Sequence, residues 1–286
     1  MDDYTGGDYG LFGPDSVTWR IHVDPVLWVA AFYALAVQAL HPPSMWGTYQ
    51  NSSLFDRKEA LARLLRTGDW VSTRTFGTTA EVDRIGRRVR AIHRKLQGTN
   101  PETGETFPVD DPENLRYIHC GEILAYLRVA QRAGVPLTAA EADTYVDEQR
   151  RSAVVVGLEP SFVPGSVAEL EDYFAMMRPQ LRLTAEARRG ILMWANYPTP
   201  PRMAALKVVY PALATLSMTL LPGWARRCYG LPSYDFPPAY AAATASLRAT
   251  RLAMLATPER YRGTELQVRH ATRARDLMRA RELAAA

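Results

Sequence analysis

Apolar residues recur at helical spacing along almost the whole chain, and this periodicity limits the fold more than any other feature. In one stretch they follow one another at intervals of three, four, three and four residues: Val82, Ile85, Val89, Ile92 and Leu96. That spacing places them on one face of an α-helix. No pair of alternating apolar runs is joined by Asn-Gly or Asp-Gly, the usual signal of a β-hairpin. The pattern therefore predicts an all-α protein.

Prolines, glycines and capping residues predict where the helices begin and end. Pro25 suits the first position of a helix, and His41-Pro42-Pro43 predicts the end of that helix. Capping patterns predict helix starts at Thr79, Thr138 and Ser166. The other predicted features are helices over about 56–75, 79–96 and 112–133, a loop over 98–112, and breaks at 198–201, 221–223 and 231–232.

The chain shows no repeat of fixed period and no clean linker, so we expect one domain. Its composition supports a sizeable core, because 47% of the residues are hydrophobic and 22% are charged. We expect residues 1–18 to be a flexible N-terminal segment and residues 19–259 to form the domain. Residues 260–286 are expected to form a charged helix or tail.

The balance of charges and the lengths of the apolar runs indicate which binding partners and which cellular compartment to expect. Lys and Arg number 34 against 30 Asp and Glu, a balance that does not by itself indicate nucleic acid. The N-terminus lacks the basic and apolar regions of a signal peptide, and the apolar runs at 26–40 and 208–224 are too short or too interrupted to span a membrane. We expect a cytoplasmic protein with no transmembrane segment and no nucleic-acid partner. Contact with a membrane surface stays open.

The sequence lacks the motifs of several classes of catalytic and metal-binding site. Cys120 and Cys228 stand far apart in no CxxC arrangement, which excludes a cysteine zinc site and a covalently attached haem. No Gly-x-Ser-x-Gly, Gly-x-Gly-x-x-Gly or Gly-Lys-Ser/Thr motif occurs, so serine-hydrolase, Rossmann and P-loop chemistry are disfavoured.

Six basic residues crowd one predicted helix: Arg84, Arg87, Arg88, Arg90, Arg94 and Lys95. Such a cluster suits nucleic acid or an anionic lipid surface. The same helix carries a regular apolar stripe and no nucleic-acid signature accompanies it. We therefore interpret most of these charges as the solvated side of a core helix.

Two histidines lie on the inward side of consecutive predicted helices. His93 follows Val89 by four residues, and His119 lies one turn before Glu122 on the helix that begins near residue 112. An inward histidine is most often a core residue bonded to a carbonyl, yet imidazole is also the common ligand of metals and haem. No His or Glu pair with metal-ligand spacing accompanies either residue, which disfavours zinc and di-iron sites. A haem with one axial histidine remains compatible with the pattern.

A polar face precedes these histidines in the chain. Arg63, Thr67, Trp70 and Arg74 follow one another at intervals of four, three and four, so they share one side of a helix. An inward guanidinium needs an anion or several acceptors, and a haem propionate or a substrate carboxylate would serve. A solvated face is the alternative.

The order of short segments along the chain resembles the DUF2236 family, the MpaB-like oxygenases and the catalytic domain of rubber oxygenase (latex clearing protein). The resemblance covers about residues 19–232. The matching segments are His41-Pro42-Pro43, Gly47, Ser52-Ser53-Leu54-Phe55, Arg63-Leu64-Leu65-Arg66-Thr67, Thr75-Phe76-Gly77, Val89-Arg90-Ala91-Ile92-His93, Gly98, Asp110-Asp111-Pro112, Tyr117-Ile118-His119, Leu221-Pro222-Gly223-Trp224-Ala225-Arg226 and Tyr229-Gly230-Leu231.

This resemblance implies a globin-like helical fold around a b-type haem, whose iron activates dioxygen for use on a lipophilic substrate. By motif, His93 matches the histidine that ligates the iron, and Arg63 and Thr67 match a pair near the haem. Arg66 stands where rubber oxygenase has a lysine that approaches the iron. Arginine stays protonated and ligates poorly, so an open or water-filled distal site is expected. His119 matches a second family histidine, interpreted as a pocket residue.

Two departures from the family pattern bear on the reaction. Ser52-Ser53 replaces a frequent His-Ser pair, and Leu124 stands where relatives often carry an aspartate. Glu122 is the candidate for a displaced carboxylate. We expect a small biosynthetic intermediate as the substrate.

Three hypotheses follow. The first is a haem b-dependent oxygenase with His93 on the iron and Arg63, Arg66, Thr67, His119 and Glu122 as catalytic or pocket residues. The second is a cyclase or isomerase of the same fold, with haem or without a cofactor. The third is a non-enzymatic protein that binds nucleic acid or an anionic membrane through the basic helix, with steep salt dependence.

Overall fold

The computed structural model describes residues 7–56, 58–195, 206–232 and 237–285, and most of these residues are helical. The all-α expectation is confirmed. The helices in chain order are α1 (Val17–His22), α2 (Leu27–Gln38), α3 (Pro42–Asn51), α4 (Ala60–Phe76), α5 (Thr79–His93), α6 (Pro112–Ala133), α7 (Ala139–Val156), α8 (Val167–Met177), α9 (Ala185–Ala195), α10 (Leu206–Leu220), α11 (Gly223–Cys228), α12 (Pro237–Ala256) and α13 (Glu265–Ala285). Two short strands, β1 (Gln97–Thr99) and β2 (Thr106–Pro108), pair between α5 and α6.

The centre of the fold is the contact between α2 and α6. The Tyr117 hydroxyl donates to the Val37 carbonyl at 2.8 Å, and Gln38 Nε2 donates to the Ile118 carbonyl at 2.8 Å. Helix α10 covers another side of α2, where Ser217 Oγ donates to the Val29 carbonyl at 2.8 Å. Because α2 has neighbours on several sides, its apolar run belongs to the core. Among the described residues, no helix combines the length and apolar character that crossing a bilayer requires.

Helices α4 and α5 form an antiparallel pair joined by Gly77 and Thr78. Thr78 caps α5, since its hydroxyl accepts from the Glu81 amide and the Glu81 carboxylate accepts from the Thr78 amide at 2.9 Å. On another side α5 packs against α7, where Arg90 Nη1 donates to the Val155 carbonyl at 2.8 Å. The antiparallel course brings the end of α5 back beside the beginning of α4.

The C-terminal helix α13 packs along α4. Gln267 Nε2 donates to Asp69 Oδ1 at 2.9 Å, and His270 Nδ1 lies 3.0 Å from Ser72 Oγ. His270 is only 2% exposed. The segment expected as a charged helix or tail is thus a helix whose inner side is buried against α4.

The segment before α1 also has defined contacts. Asp8 Oδ1 accepts from the Thr79 amide at 3.0 Å, and Phe12 belongs to a small apolar cluster with Trp19 and Phe76. Residues 7–16, which the sequence analysis placed in a flexible segment, therefore contact the start of α5 and the end of α4.

Several predicted boundaries agree with the structure. Asp111 caps α6, and Gly134 ends it in the left-handed conformation (φ 82°). Thr138 forms a capping box with Glu141 at the start of α7, and Ser166 caps α8. Pro222 caps α11. The predicted break over 198–201 lies outside the described residues.

Other boundaries were wrong. Pro42-Pro43 occupies the first positions of α3, a helix the sequence analysis missed, while α2 already ends at Gln38. Helix α2 begins at Leu27, α4 at Ala60, and α5 ends at His93, so all three are shorter than predicted. The predicted loop over 98–112 contains the β1–β2 hairpin, in which Gly98 pairs with Phe107. Each strand has only three residues, too few for alternation to be seen in the sequence.

Candidate functional site

One face of α4 carries the residues around which the candidate site is built. Arg63, Thr67, Trp70 and Arg74 lie on this face, and their burial increases along the helix from the half-buried Arg63 to the buried Arg74. Arg63 Nη1 donates to Thr67 Oγ1, and that hydroxyl donates to the Arg63 carbonyl at 2.9 Å. The Arg63 guanidinium is thereby held along its own helix.

His93 lies at the last turn of α5, close to the beginning of α4. Its ring is half-buried, and its Nδ1 is a buried atom with no hydrogen-bond partner. Burial lowers the pKa of His93 below its ordinary value, and the Arg63 charge lowers it further, while Asp110 acts in the opposite direction. At neutral pH His93 is therefore an uncharged imidazole within range of the Arg63 charge, a form in which a ring nitrogen has a lone pair to offer.

Arg66 follows Arg63 by three residues and lies at the solvent-exposed edge of the same face of α4. Its side chain is exposed, and Nη2 lies 3.4 Å from Ser53 Oγ in the short 3-10 turn (Ser53–Phe55) before the helix. The structure thus brings Arg63, Thr67 and His93 together and leaves Arg66 at the rim of the group.

A buried ion pair joins α4 to α6 at the other end of the face. The guanidinium of Arg74 contacts the Glu122 carboxylate through both terminal nitrogens, with Nη1 3.3 Å from Oε2. The two side chains are 3% and 15% exposed. Arg74 also lies over the Trp70 ring, 4.5 Å from its centroid. Glu122 raises the pKa of Arg74, against the lowering effect of burial, so the guanidinium stays charged.

His119 is buried near this ion pair, with 5% of its surface exposed. Burial, and then the charge of Arg74, lower the pKa of His119 to about 3. Its Nε2 has no hydrogen-bond partner. At neutral pH His119 is an uncharged ring, so it acts as a hydrogen-bonding group and not as a cation.

One further residue close to this ion pair, His22, was missed by sequence reasoning. His22 of α1 lies between Thr75 and Tyr145, with Nδ1 3.1 Å from Thr75 Oγ1 and Nε2 3.0 Å from the Tyr145 hydroxyl. Burial holds the pKa of His22 well below its ordinary value, and Arg74 adds to this. Helix α1 has six residues, too few for periodicity to show which way His22 faces.

The predicted site residues therefore form two groups. Arg63, Thr67 and His93 make the first, here called the His93 group; Arg74, Glu122 and His119 make the second, here called the buried ion-pair cluster. Arg74 follows Arg63 by eleven positions on α4, a rise of about 16 Å along the helix axis. Trp70 lies between them, and its Nε1 is buried without a partner.

Cysteine, histidine and carboxylate side chains do not cluster in the part of the chain that the structure describes: no group of three or more is placed to hold a metal ion. Attachment through one axial imidazole needs no such cluster. The fit of the His93 group to haem therefore rests on the neutral ring of His93, its unpartnered Nδ1 and the adjacent guanidinium.

Sequence comparison identifies the family. The model of the family described as "ER-bound oxygenase mpaB/B'/Rubber oxygenase, catalytic domain" matches residues 19–257. The chain belongs to this oxygenase family. No curated protein and no solved structure matches the chain. The family match includes both groups of site residues and ends just before α13.

Removing Glu122 should destabilise the protein strongly, because it leaves the buried Arg74 charge without its partner. We expect Glu122→Ala to lower the free energy of unfolding by about 3–5 kcal/mol. Glu171→Ala removes the partner of Arg128 from an exposed pair and should cost less than about 1 kcal/mol. Urea unfolding followed by circular dichroism measures both values. Equal losses in the two variants would contradict the role given to the ion pair.

Stability should also depend on pH through His119. Since its folded pKa is about 3 and the ordinary value is 6.5, the unfolded chain binds a proton first as the pH falls. Stability from this residue is complete above about pH 6.5 and is lost progressively down to about pH 3, with a slope of up to about 1.4 kcal/mol per pH unit.

The His119→Gln variant isolates this contribution, because glutamine does not titrate. Urea unfolding of both proteins between pH 7 and pH 4 gives the free energy of unfolding as a function of pH. This free energy should change less steeply with pH in the variant, by the equivalent of up to one bound proton. An unchanged slope would mean that His119 titrates normally in the folded protein.

Proposed function

We propose that this protein is a haem b-dependent oxygenase that acts on a lipophilic small molecule, with His93 as the axial ligand of the iron. The observation that supports the proposal is the His93 group. Within a domain of an oxygenase family, a neutral, half-buried imidazole with an unpartnered Nδ1 lies within range of the charge of a guanidinium, that of Arg63. Both features suit a haem, which offers an iron to the imidazole and propionates to the cation.

Bound haem would supply an iron centre that activates dioxygen. The residues of the chain hold and orient it. Arg63 carries the charge that pairs with a propionate, and its bond with Thr67 fixes the guanidinium before the haem arrives. Burial keeps His93 unprotonated at neutral pH, so its lone pair is available without loss of a proton. The exposed Arg66 adds a positive charge at the edge of the His93 group.

The buried ion-pair cluster has a different role in this proposal. The Glu122 carboxylate is held by Arg74 and accepts hydrogen bonds from its guanidinium. His119 has an unprotonated ring near the same guanidinium, and its Nε2 is the atom without a partner. We assign His119 Nε2 to hydrogen bonding with a bound molecule or water, and Glu122 to holding Arg74 in place.

Haem binding is tested on the purified protein by its absorption spectrum before and after dithionite, with a pyridine haemochrome assay for stoichiometry. We expect a strong Soret band and about one haem per chain. His93→Ala should lose the haem, while His119→Gln should keep it. Arg63→Ala should weaken haem binding roughly tenfold, because one charge-assisted contact is lost.

Circular dichroism of His93→Ala shows whether the helices remain. A folded His93→Ala protein with full haem content and an unchanged spectrum would refute the assignment of the ligand. A colourless wild-type protein, even after haem is supplied during expression, would refute the haem proposal itself.

A redox-neutral cyclase or isomerase is the second candidate, and one observation favours it. Leu124, where relatives often carry an aspartate, is buried in the apolar core, and the nearby Glu122 is bound to Arg74. The described site thus has no free carboxylate at that position to act as a base.

Dioxygen dependence separates the two candidates. With a substrate identified from a spectral shift of the protein, we expect turnover to stop under strict anaerobiosis and to resume when oxygen returns. Product formed at the same rate without oxygen would favour the cyclase or isomerase.

A further inference from the structure

The outer side of α12 is apolar although it faces solvent. Helix α12 packs on α6 and α10 through an inner side that includes the buried Ala243 and Leu247. Its opposite side carries one exposed cation, Arg248, among five exposed apolar residues: Ala241, Ala245, Ala249, Leu252 and Ala256. Leu252 is 65% exposed. A helix on the surface of a water-soluble domain normally presents charged and polar residues there.

Helix α10 continues this surface. Val208, Ala212, Thr215 and Thr219 follow at intervals of four, three and four, so they lie on one side of α10. Val208 is 73% exposed, and the other three line an open groove of about 600 Å³ between α10 and α12. The walls of the groove on α12 are alanines and one serine, Ser246. We call the outer sides of α10 and α12 together the α10–α12 face.

Basic residues greatly outnumber acidic ones in this part of the sequence. From residue 187 to residue 258 the sequence has eight basic residues and a single acidic one, Asp235, whereas the whole chain has 34 and 30. Two of these basic residues are exposed on the helices of the face itself: Lys207 on α10 and Arg248 on α12. Arg188 and Arg189 are exposed on α9, which packs against α10. Helix α9 also contains Glu186, but α10 and α12 contain no acidic residue, so cations alone accompany the exposed apolar surface on these two helices.

A second copy of this chain does not suit the surface. A two-fold dimer would bring the α10–α12 face against itself, so the cations of one subunit would meet those of the other. An anionic lipid surface complements both features, because the phosphates attract Lys and Arg while the apolar side chains enter the headgroup region. We propose that the α10–α12 face docks the protein on an anionic lipid bilayer.

The basic side of α5 provides a comparison within the same molecule. Arg84, Arg87, Arg88, Arg94 and Lys95 are all exposed, as expected from the sequence. The large apolar residue exposed on α5 is Ile92, at 46%. This side has charge without an apolar surface, so it is attracted to anionic lipid at low salt but has little to insert. It therefore serves as a control for charge alone.

Vesicle sedimentation tests the proposal on the full chain, with or without haem, so its outcome does not depend on the proposed function. The probes are vesicles of phosphatidylcholine and vesicles that also contain phosphatidylglycerol. We expect binding to the anionic vesicles, with little binding to the neutral ones. The double variant Val208→Ser, Leu252→Ser should bind at least several-fold more weakly, and Lys207→Glu, Arg248→Glu should lose binding at physiological salt.

Two control variants match these changes elsewhere. Leu283→Ser removes a leucine that is 72% exposed on α13, and Arg84→Glu, Arg88→Glu reverses two charges on α5. Both should leave binding within about twofold at physiological salt. Hydrogen exchange with anionic vesicles should show new protection in α10 and α12 and none in the outer side of α5. This measurement locates the face without any substitution.

Three outcomes would overturn the proposal. One is the absence of binding to anionic vesicles. Another is an equal loss of binding in the α5 variant, which would reassign the attraction to the basic helix. The third is a dimer in solution that Val208→Ser, Leu252→Ser dissociates, which would show that a second copy covers the face.

Discussion

The ion pair between Arg74 and Glu122 is the interaction on which the arrangement of both site groups depends. It fixes the C-terminal half of α4 against α6, which itself packs on α2 at the centre of the fold. Because a helix is rigid over its length, this fixed end also sets where Arg63 and Thr67 lie. The start of α4 in turn receives His93, since α5 runs back along it from the Thr78 cap. A contact at one end of α4 thereby determines the position of the proposed haem-binding residues at the other end.

The charge of Arg74 also controls the protonation of its neighbours. His22 and His119 are both buried close to this guanidinium, and its charge adds to desolvation in lowering the pKa of each ring. Glu122 keeps the cation stable in the interior, and the cation keeps the two rings neutral. The cluster thus has one buried charge pair and two uncharged imidazoles. At the other end of α4, burial lowers the pKa of His93, while the nearby charges oppose each other: Asp110 raises that pKa and Arg63 lowers it.

The α10–α12 face is built by a different part of the chain, which lacks acidic side chains almost entirely. Its helices use their inner residues for the core and leave apolar residues outside, in contrast to α5, whose outer side is charged. The charged outer side of α5 is well solvated by water. The apolar α10–α12 face would gain stability from contact with an apolar phase such as the interior of a bilayer. A lipophilic substrate, if the proposed function holds, is a molecule that partitions into the same phase.

The sequence by itself determined the helical class, several helix boundaries, the inward direction of His119 and the family. Capping residues and periodicity act within one or two helical turns, which is why the helix starts at Thr79, Thr138 and Ser166 were predicted correctly. The two short strands and α3 were missed because a three-residue pairing has no period and because proline suits the start of a helix as well as its end. Only the tertiary structure decided that Glu122 is bound to Arg74, that His22 joins the cluster, and that the site residues form two groups. Those contacts join residues 48 or more positions apart, and they depend on how whole helices pack, which no local pattern encodes.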